Sequence, residues 1–172
     1  HWDAWKTVAE RHQFEFSEDR FYALGGVPSR DILKMINEEQ GLALDPQAIT
    51  REKEEAYLPH LQTVTVIQPV IEVALEHHGR IPMAVATGGT RKIIQQVLQH
   101  LEIEYLFDHL VTSEDVTRQK PAPDIFLRAA ELIKIAPEKC LAYEDTDLGL
   151  KAIQDAGMTG IDVRKLRAEI PN

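Results

Sequence analysis

Residues 140–158, CLAYEDTDLGLKAIQDAGM, constrain this chain more than any other stretch. They open on 140–143, an apolar run of buried-strand length. Two carboxylates, Glu144 and Asp145, follow at once. Asp147 then reads as a helix N-cap. Leu148, Ala152, Ile153 and Ala156 recur at helical spacing, and Gly157 supplies a stop. Two adjacent acids therefore sit where a strand ends and a helix begins. In open α/β sheets ligands bind at the carboxyl ends of the strands, and hard oxygen ligands there suit Mg2+. The same residues also suit a capping box and a solvated turn, and the rest of the chain decides between the two.

From Pro69 onward the pattern is of one kind. A helix over 70–78 is followed by a strand over 81–86, with Pro82 near its start. A helix over 90–101, a short strand over 109–112 and a helix over 122–135 come next. The stretch already described and a strand near 160–163 complete the series. Strands alternating with helices predict an α/β unit built on a parallel sheet. Residues 1–66 read as helices only. Trp2, Trp5, Val8 and Ala9 form one stripe, and a short helix follows Ser17. A third, after the turn at 25–29, turns Ile32, Met35 and Ile36 inward and stops at Gly41. A fourth starts at Asp45-Pro46 and runs to about residue 62, with Pro59 kinking or shortening it. The charge run at 51–55 reads as its solvated face. The chain is thus expected to divide into an all-helical unit, 1–66, and an α/β unit, 67–172, with a loosely held polar tail at 164–172.

Composition excludes several classes of partner. A formal net charge of −9 argues against a nucleic-acid footprint but leaves room for a small anionic substrate, since local cations can outweigh the global field. The single cysteine, Cys140, permits no intrachain disulfide, which fits a cytoplasmic protein. No apolar run approaches membrane-spanning length and no signal peptide is visible. The chain begins at His1, and HWDAW already reads as the inside of a helix, as if the sequence were entered midway.

Three strand ends carry candidate chemistry. In AVATGGT, Thr87 offers a hydroxyl, and Gly88 and Gly89 let a ligand approach backbone N–H groups at a helix start, a plausible phosphate cradle. In RQKPAPD, two prolines fix where Lys120 points, and a lysine is a compact donor for a transferring phosphoryl group. Glu144 and Asp145 form the third. Each alone suits an ordinary turn, a solvated lysine or a cap. Together they are the parts of a Mg2+-assisted phosphoryl-transfer site.

The order AVATGG, KPAPDIF, YEDTDLGLKAIQDAGM resembles motifs II, III and IV of the haloacid dehalogenase superfamily. HWDAW and GGVPSRDIL resemble the helical cap of its β-phosphoglucomutase-like subfamily, nearest to sugar phosphatases of the fructose-1-phosphate and phosphogluconate type. The resemblance implies a Rossmann-like parallel sheet with an all-helical cap. It implies Mg2+-dependent hydrolysis of a small sugar phosphate through an aspartyl-phosphate intermediate. By position, Thr87 and the Gly88 N–H would bind phosphoryl oxygens, Lys120 would neutralise charge, and Glu144 and Asp145 would hold Mg2+. In the cap, Ser29 or Arg30 would touch the sugar, and His1 would lie near the hinge.

One departure is large. The family's first motif, an Asp-x-Asp pair that ends a central strand and supplies the nucleophile, is absent from these residues. That strand would lie between those at 81–86 and 140–143. Residues 1–172 alone are therefore expected to be inactive and prone to strand exchange or aggregation, the complete protein monomeric. Two alternatives remain. In a phosphoglucomutase-type mutase, Arg91 would replace the Ser/Lys pair that such enzymes tend to carry after motif II. In a non-catalytic remnant, the chain would only bind a metal or an anion.

Overall fold

The computed structural model describes residues 1–167. The end of the tail expected to be loosely held, residues 168–172, lies outside the described residues. Two compact units divide between Val64 and Thr65.

The first unit is helical: α1 (Trp2–His12), α2 (Glu18–Ala23), α3 (Ser29–Gln40) and α4 (Pro46–Tyr57). Its starts and stops follow from local chemistry. The Ser17 hydroxyl accepts from the Arg20 N–H, and the Asp45 carboxylate accepts from the N–H groups of Gln47 and Ala48. Gly41 ends α3 at φ +64°, a backbone state that costs glycine little. The fourth helix is shorter than expected. Pro59 cannot donate to an α-helical ladder, and the chain tightens into a 3-10 segment, Leu58–Thr63. Trp5, Val8, Ile32, Leu33, Ile36 and Ile49 share one buried cluster, into which Phe14 folds back.

The second unit alternates as the sequence predicts: α5 (Gln68–His77), β1 (Ala84–Ala86), α6 (Arg91–His100), β2 (His109–Val111), α7 (Asp124–Ile133), β3 (Leu141–Glu144), α8 (Asp147–Asp155), β4 (Thr159–Asp162) and α9 (Val163–Arg167). The strand expected over 81–86 keeps only its last three residues. Pro82 has no N–H, and the Met83 N–H is taken by the Asp108 carboxylate at 2.9 Å instead of a ladder partner. Helix α8 starts one residue earlier in its logic than expected. Thr146 is the cap, accepting from the Gly149 N–H at 3.0 Å, and Asp147 is the first helical residue.

Both strand pairs among the described residues are parallel. Ala84, Val85 and Ala86 face His109, Leu110 and Val111, and residues Leu141 to Glu144 face Thr159 to Asp162 in register. The pairs form two separate two-stranded sheets, and among the described residues no ladder joins one to the other. β1 and β3 are the strands between which the resemblance places a further one, and among the described residues each is paired on one side only. Side chains hold the two halves in one unit. Val111 of the first sheet, Ile125, Phe126 and Ala129 of α7, and Ala152 and Ile153 of α8 share a buried cluster, with Ala84, Ala86 and Ala142 packed against it.

Candidate active site at the strand ends

Lys120 follows β2 on a segment clipped at both ends. Arg118 donates twice to Asp124, at 3.0 and 2.7 Å, and Pro121 and Pro123 stiffen what lies between. The lysine side chain is thereby turned inward, 4.9 Å from the centre of the Phe126 ring. It is 8% exposed, and its ammonium donates to Glu144 Oε2 at 2.6 Å. A solvated lysine is thus ruled out.

Glu144 is the last residue of β3 and equally buried. Its second oxygen, Oε1, accepts from the Asp145 and Thr146 N–H groups and the Thr146 hydroxyl, at 3.0, 3.0 and 2.9 Å. Burial pushes this carboxyl up, but the Lys120 charge and the hydrogen bonds from Lys120, Thr146 and the backbone outweigh it and hold the carboxyl below its ordinary value. Gly149 makes the arrangement possible, because a Cβ there would collide with the Glu144 carboxyl. That is the physical reason for a glycine on the first turn of α8.

These contacts bear on the Mg2+ expectation. Both Glu144 oxygens already accept hydrogen bonds, Oε1 three and Oε2 one from Lys120. Asp145, beside it, is exposed at the strand end. Among the described residues no group of three or more His, Cys, Asp or Glu side chains is placed to hold a metal ion. Mg2+ commonly keeps several waters and takes one or two carboxylates plus a substrate phosphate. A carboxylate such as Asp145 at the strand end fits that mode.

The Thr87 loop leaves β1 toward α6. The Thr87 hydroxyl accepts from the Gly89 N–H at 3.1 Å and still carries a proton of its own to donate. Gly89 is boxed in, since a Cβ there would lie 2.8 Å from Ile94. Arg91, the residue that a mutase would need, donates to both oxygens of Asp115, at 2.8 and 2.6 Å, and to the Leu110 carbonyl at 3.3 Å.

Thr87, Gly88, Lys120, Glu144 and Asp145 belong to the second unit; His1, Ser29 and Arg30 belong to the first. Ser29 is the first residue of α3, and Arg30 is exposed, with Asp31 at 3.6 Å. The His1 ring stacks on Tyr57 at 3.8 Å and lies 3.3 Å from the Lys53 amine. Lys53 corrects the solvated face expected over 51–55. It is 7% exposed, with the Trp5 ring at 5.8 Å. Burial pushes its amine down to about 8, and the charge of neighbouring Glu54 opposes this only in part. The signal was available in the spacing. Ile49, Lys53 and Tyr57 lie four apart, on one stripe of α4.

Comparison with known proteins gives the family and the fold. The haloacid dehalogenase-like hydrolase family matches residues 2–163, and the chain belongs to it. The fructose-1-phosphate phosphatase YqaB of Escherichia coli is 37% identical over 166 residues, spanning 96% of this chain and 88% of that protein. The β-phosphoglucomutase of Bacillus subtilis is 27% identical over 170 residues, spanning 95% and 75%. A crystal structure of β-phosphoglucomutase from Clostridium difficile superposes with a TM-score of 0.82 at 22% identity, covering 97% of this chain and 79% of that one. The fold is the Rossmann-like core with helical cap of the β-phosphoglucomutase-like subfamily. Among the described residues no helix is long and apolar enough to cross a membrane.

Proposed function

We propose that this chain is the cap and most of the core of a phosphatase acting on a small sugar phosphate. The observation that carries the reading is the buried Lys120–Glu144 pair at one strand end, together with the hydroxyl-and-glycine loop of Thr87 at another. A lysine held by a carboxylate at one oxygen and by a rigid proline segment is preorganised to neutralise charge that develops on a phosphoryl group. Thr87 and the Gly88 N–H bind phosphoryl oxygens. Asp145 holds Mg2+, which when bound neutralises phosphate charge; Glu144 serves the site through Lys120 rather than as a direct ligand. In the helical unit Ser29, Arg30 and His1 select the sugar. The nucleophile of the aspartyl-phosphate route is not among these residues, and a strand ending in Asp-x-Asp between β1 and β3 would supply it. A phosphatase is favoured over a mutase because Arg91 is already bound by Asp115.

The test is phosphate release from a panel containing fructose 1-phosphate, 6-phosphogluconate and glucose 1-phosphate, with and without Mg2+. Residues 1–172 are compared with the same chain carrying an apolar strand and Asp-x-Asp ahead of His1. Release only by the extended chain, and its loss in Lys120→Met, is the expected result. Release by the short chain overturns the aspartyl-phosphate route, and interconversion of glucose 1- and 6-phosphates without release overturns the phosphatase reading.

A further inference from the structure

We infer that Ser113 and Gln119 are positioning residues that set the distance between the Thr87 phosphate loop and Lys120, an inference that rests on the phosphatase reading. The β1–β2 ladder ends with the Thr87 N–H donating to the Val111 carbonyl at 2.9 Å, so beyond it the spacing of the Thr87 loop and Lys120 is set by the bonds the two following loops make to each other. A continuous series of hydrogen bonds runs between them. The Gly89 carbonyl, within the phosphate loop, accepts from both the N–H and the hydroxyl of Ser113, each at 3.2 Å. The Ser113 carbonyl in turn accepts from the Gln119 side-chain amide at 2.9 Å, and the same nitrogen donates to the Val116 carbonyl at 3.2 Å. The next residue is Lys120, whose ammonium reaches Glu144 at the end of β3. Ser113 is 7% exposed, so water competes poorly for its bonds.

The arrangement suits a strut better than a plain turn. A turn over 113–119 could close on its own backbone. Here the Gln119 amide spends both protons on carbonyls of the loop that also grips Gly89. The Ser113 hydroxyl and the Gln119 amide already donate to backbone carbonyls. Their effect on a bound anion is exerted through Gly89 and Lys120.

The experiment is inorganic phosphate binding to the full chain at neutral pH, by calorimetry or 31P NMR, with thermal melts of every variant. The set is wild type, Gln119→Met, Ser113→Ala and Ser113→Thr. Gln119→Met keeps the volume and removes the donors. Loss of one such bond corresponds to about two- to tenfold in an equilibrium. The expected result is phosphate affinity weakened by about that factor in Gln119→Met and Ser113→Ala, at a temperature where all are folded, and recovery in Ser113→Thr. The Gly89 amide resonance should shift in Gln119→Met even without phosphate. Lower melting temperatures with unchanged phosphate affinity overturn the strut and leave a purely structural glutamine. Absence of phosphate binding by wild type, with the Gly89 shift intact, overturns the phosphate reading while the strut's geometry stands. An unmoved Gly89 amide overturns the strut itself.

Discussion

Each unit buries a lysine on a helix-packed surface, and the two are treated in opposite ways. Lys120 has a carboxylate at 2.6 Å that is itself held by three further donors. Lys53 has an imidazole at 3.3 Å and an indole face. The first arrangement keeps both charges in place through mutual attraction. The second leaves burial to push the amine down to about 8. One lysine is ion-paired, therefore, and the other meets burial without a carboxylate in contact. Similar exposure, 8% against 7%, does not predict this; the partner does.

The comparison is broken most severely by stranding Lys120. Glu144→Ala leaves an ammonium buried without its partner and should destabilise the chain by about 3–5 kcal/mol, read by urea unfolding. Replacing both members, Lys120→Met with Glu144→Leu, should recover most of that loss, because a buried pair is weak net stabilisation over apolar packing. The Glu144 carboxyl lies below its ordinary 4.5 when folded, so the pair's contribution is present above that pH and lost as pH falls through the folded value.

Lys53→Met should move the other way and stabilise the chain, by up to about 3 kcal/mol for a shift from 10.5 to about 8. The sign follows from proton counting. Between about pH 8 and 10.5 the unfolded chain keeps a proton that the folded chain has shed, so wild-type stability rises with pH across that window. In Lys53→Met the rise should vanish. A rise of equal slope in both proteins, in melts from pH 7 to 10.5, would assign it to another group.

Gly149→Ala sharpens the comparison from the backbone side. The added methyl collides with the Glu144 carboxyl, and overpacking of this kind costs about 1–3 kcal/mol. Lys120 should lose its partner in the process, detectable as a changed ammonium resonance. Thr146→Ala should be the mildest, about 1 kcal/mol for a lost cap, with the Glu144 Oε1 left one donor short.

Much of this was legible in the sequence. The alternation after Pro69 predicts the α/β unit, and Asp45-Pro46, Ser17 and Gly41 mark helix ends that the structure keeps. Such signals are local, and local chemistry decides them. What spacing did not show was which charged residue a tertiary neighbour would claim. Glu144 and Asp145 look alike in a row of acids, yet one lies under Lys120 and the other is exposed. Arg91 looks like a candidate grip for phosphate until Asp115, across the loop, is seen to hold it. The cap was misread as Asp147 for a related reason. Thr146 and Asp147 are both good caps, and the backbone turn, set by Glu144 accepting two successive N–H groups, chooses Thr146.

The division into two half-sheets has a kinetic meaning. Each half is a single strand–helix–strand unit, β1–α6–β2 and β3–α8–β4, closed over a short span of chain. Contacts that close short loops form early, because little chain entropy is lost in making them. Each half can therefore assemble as its own cooperative folding unit, with α7 packing against α8 as the later joining event. Amide hydrogen exchange should then resolve two sets of protection rather than one. The amides of β1 and β2 should open together, those of β3 and β4 should open together, and the two openings should have different free energies.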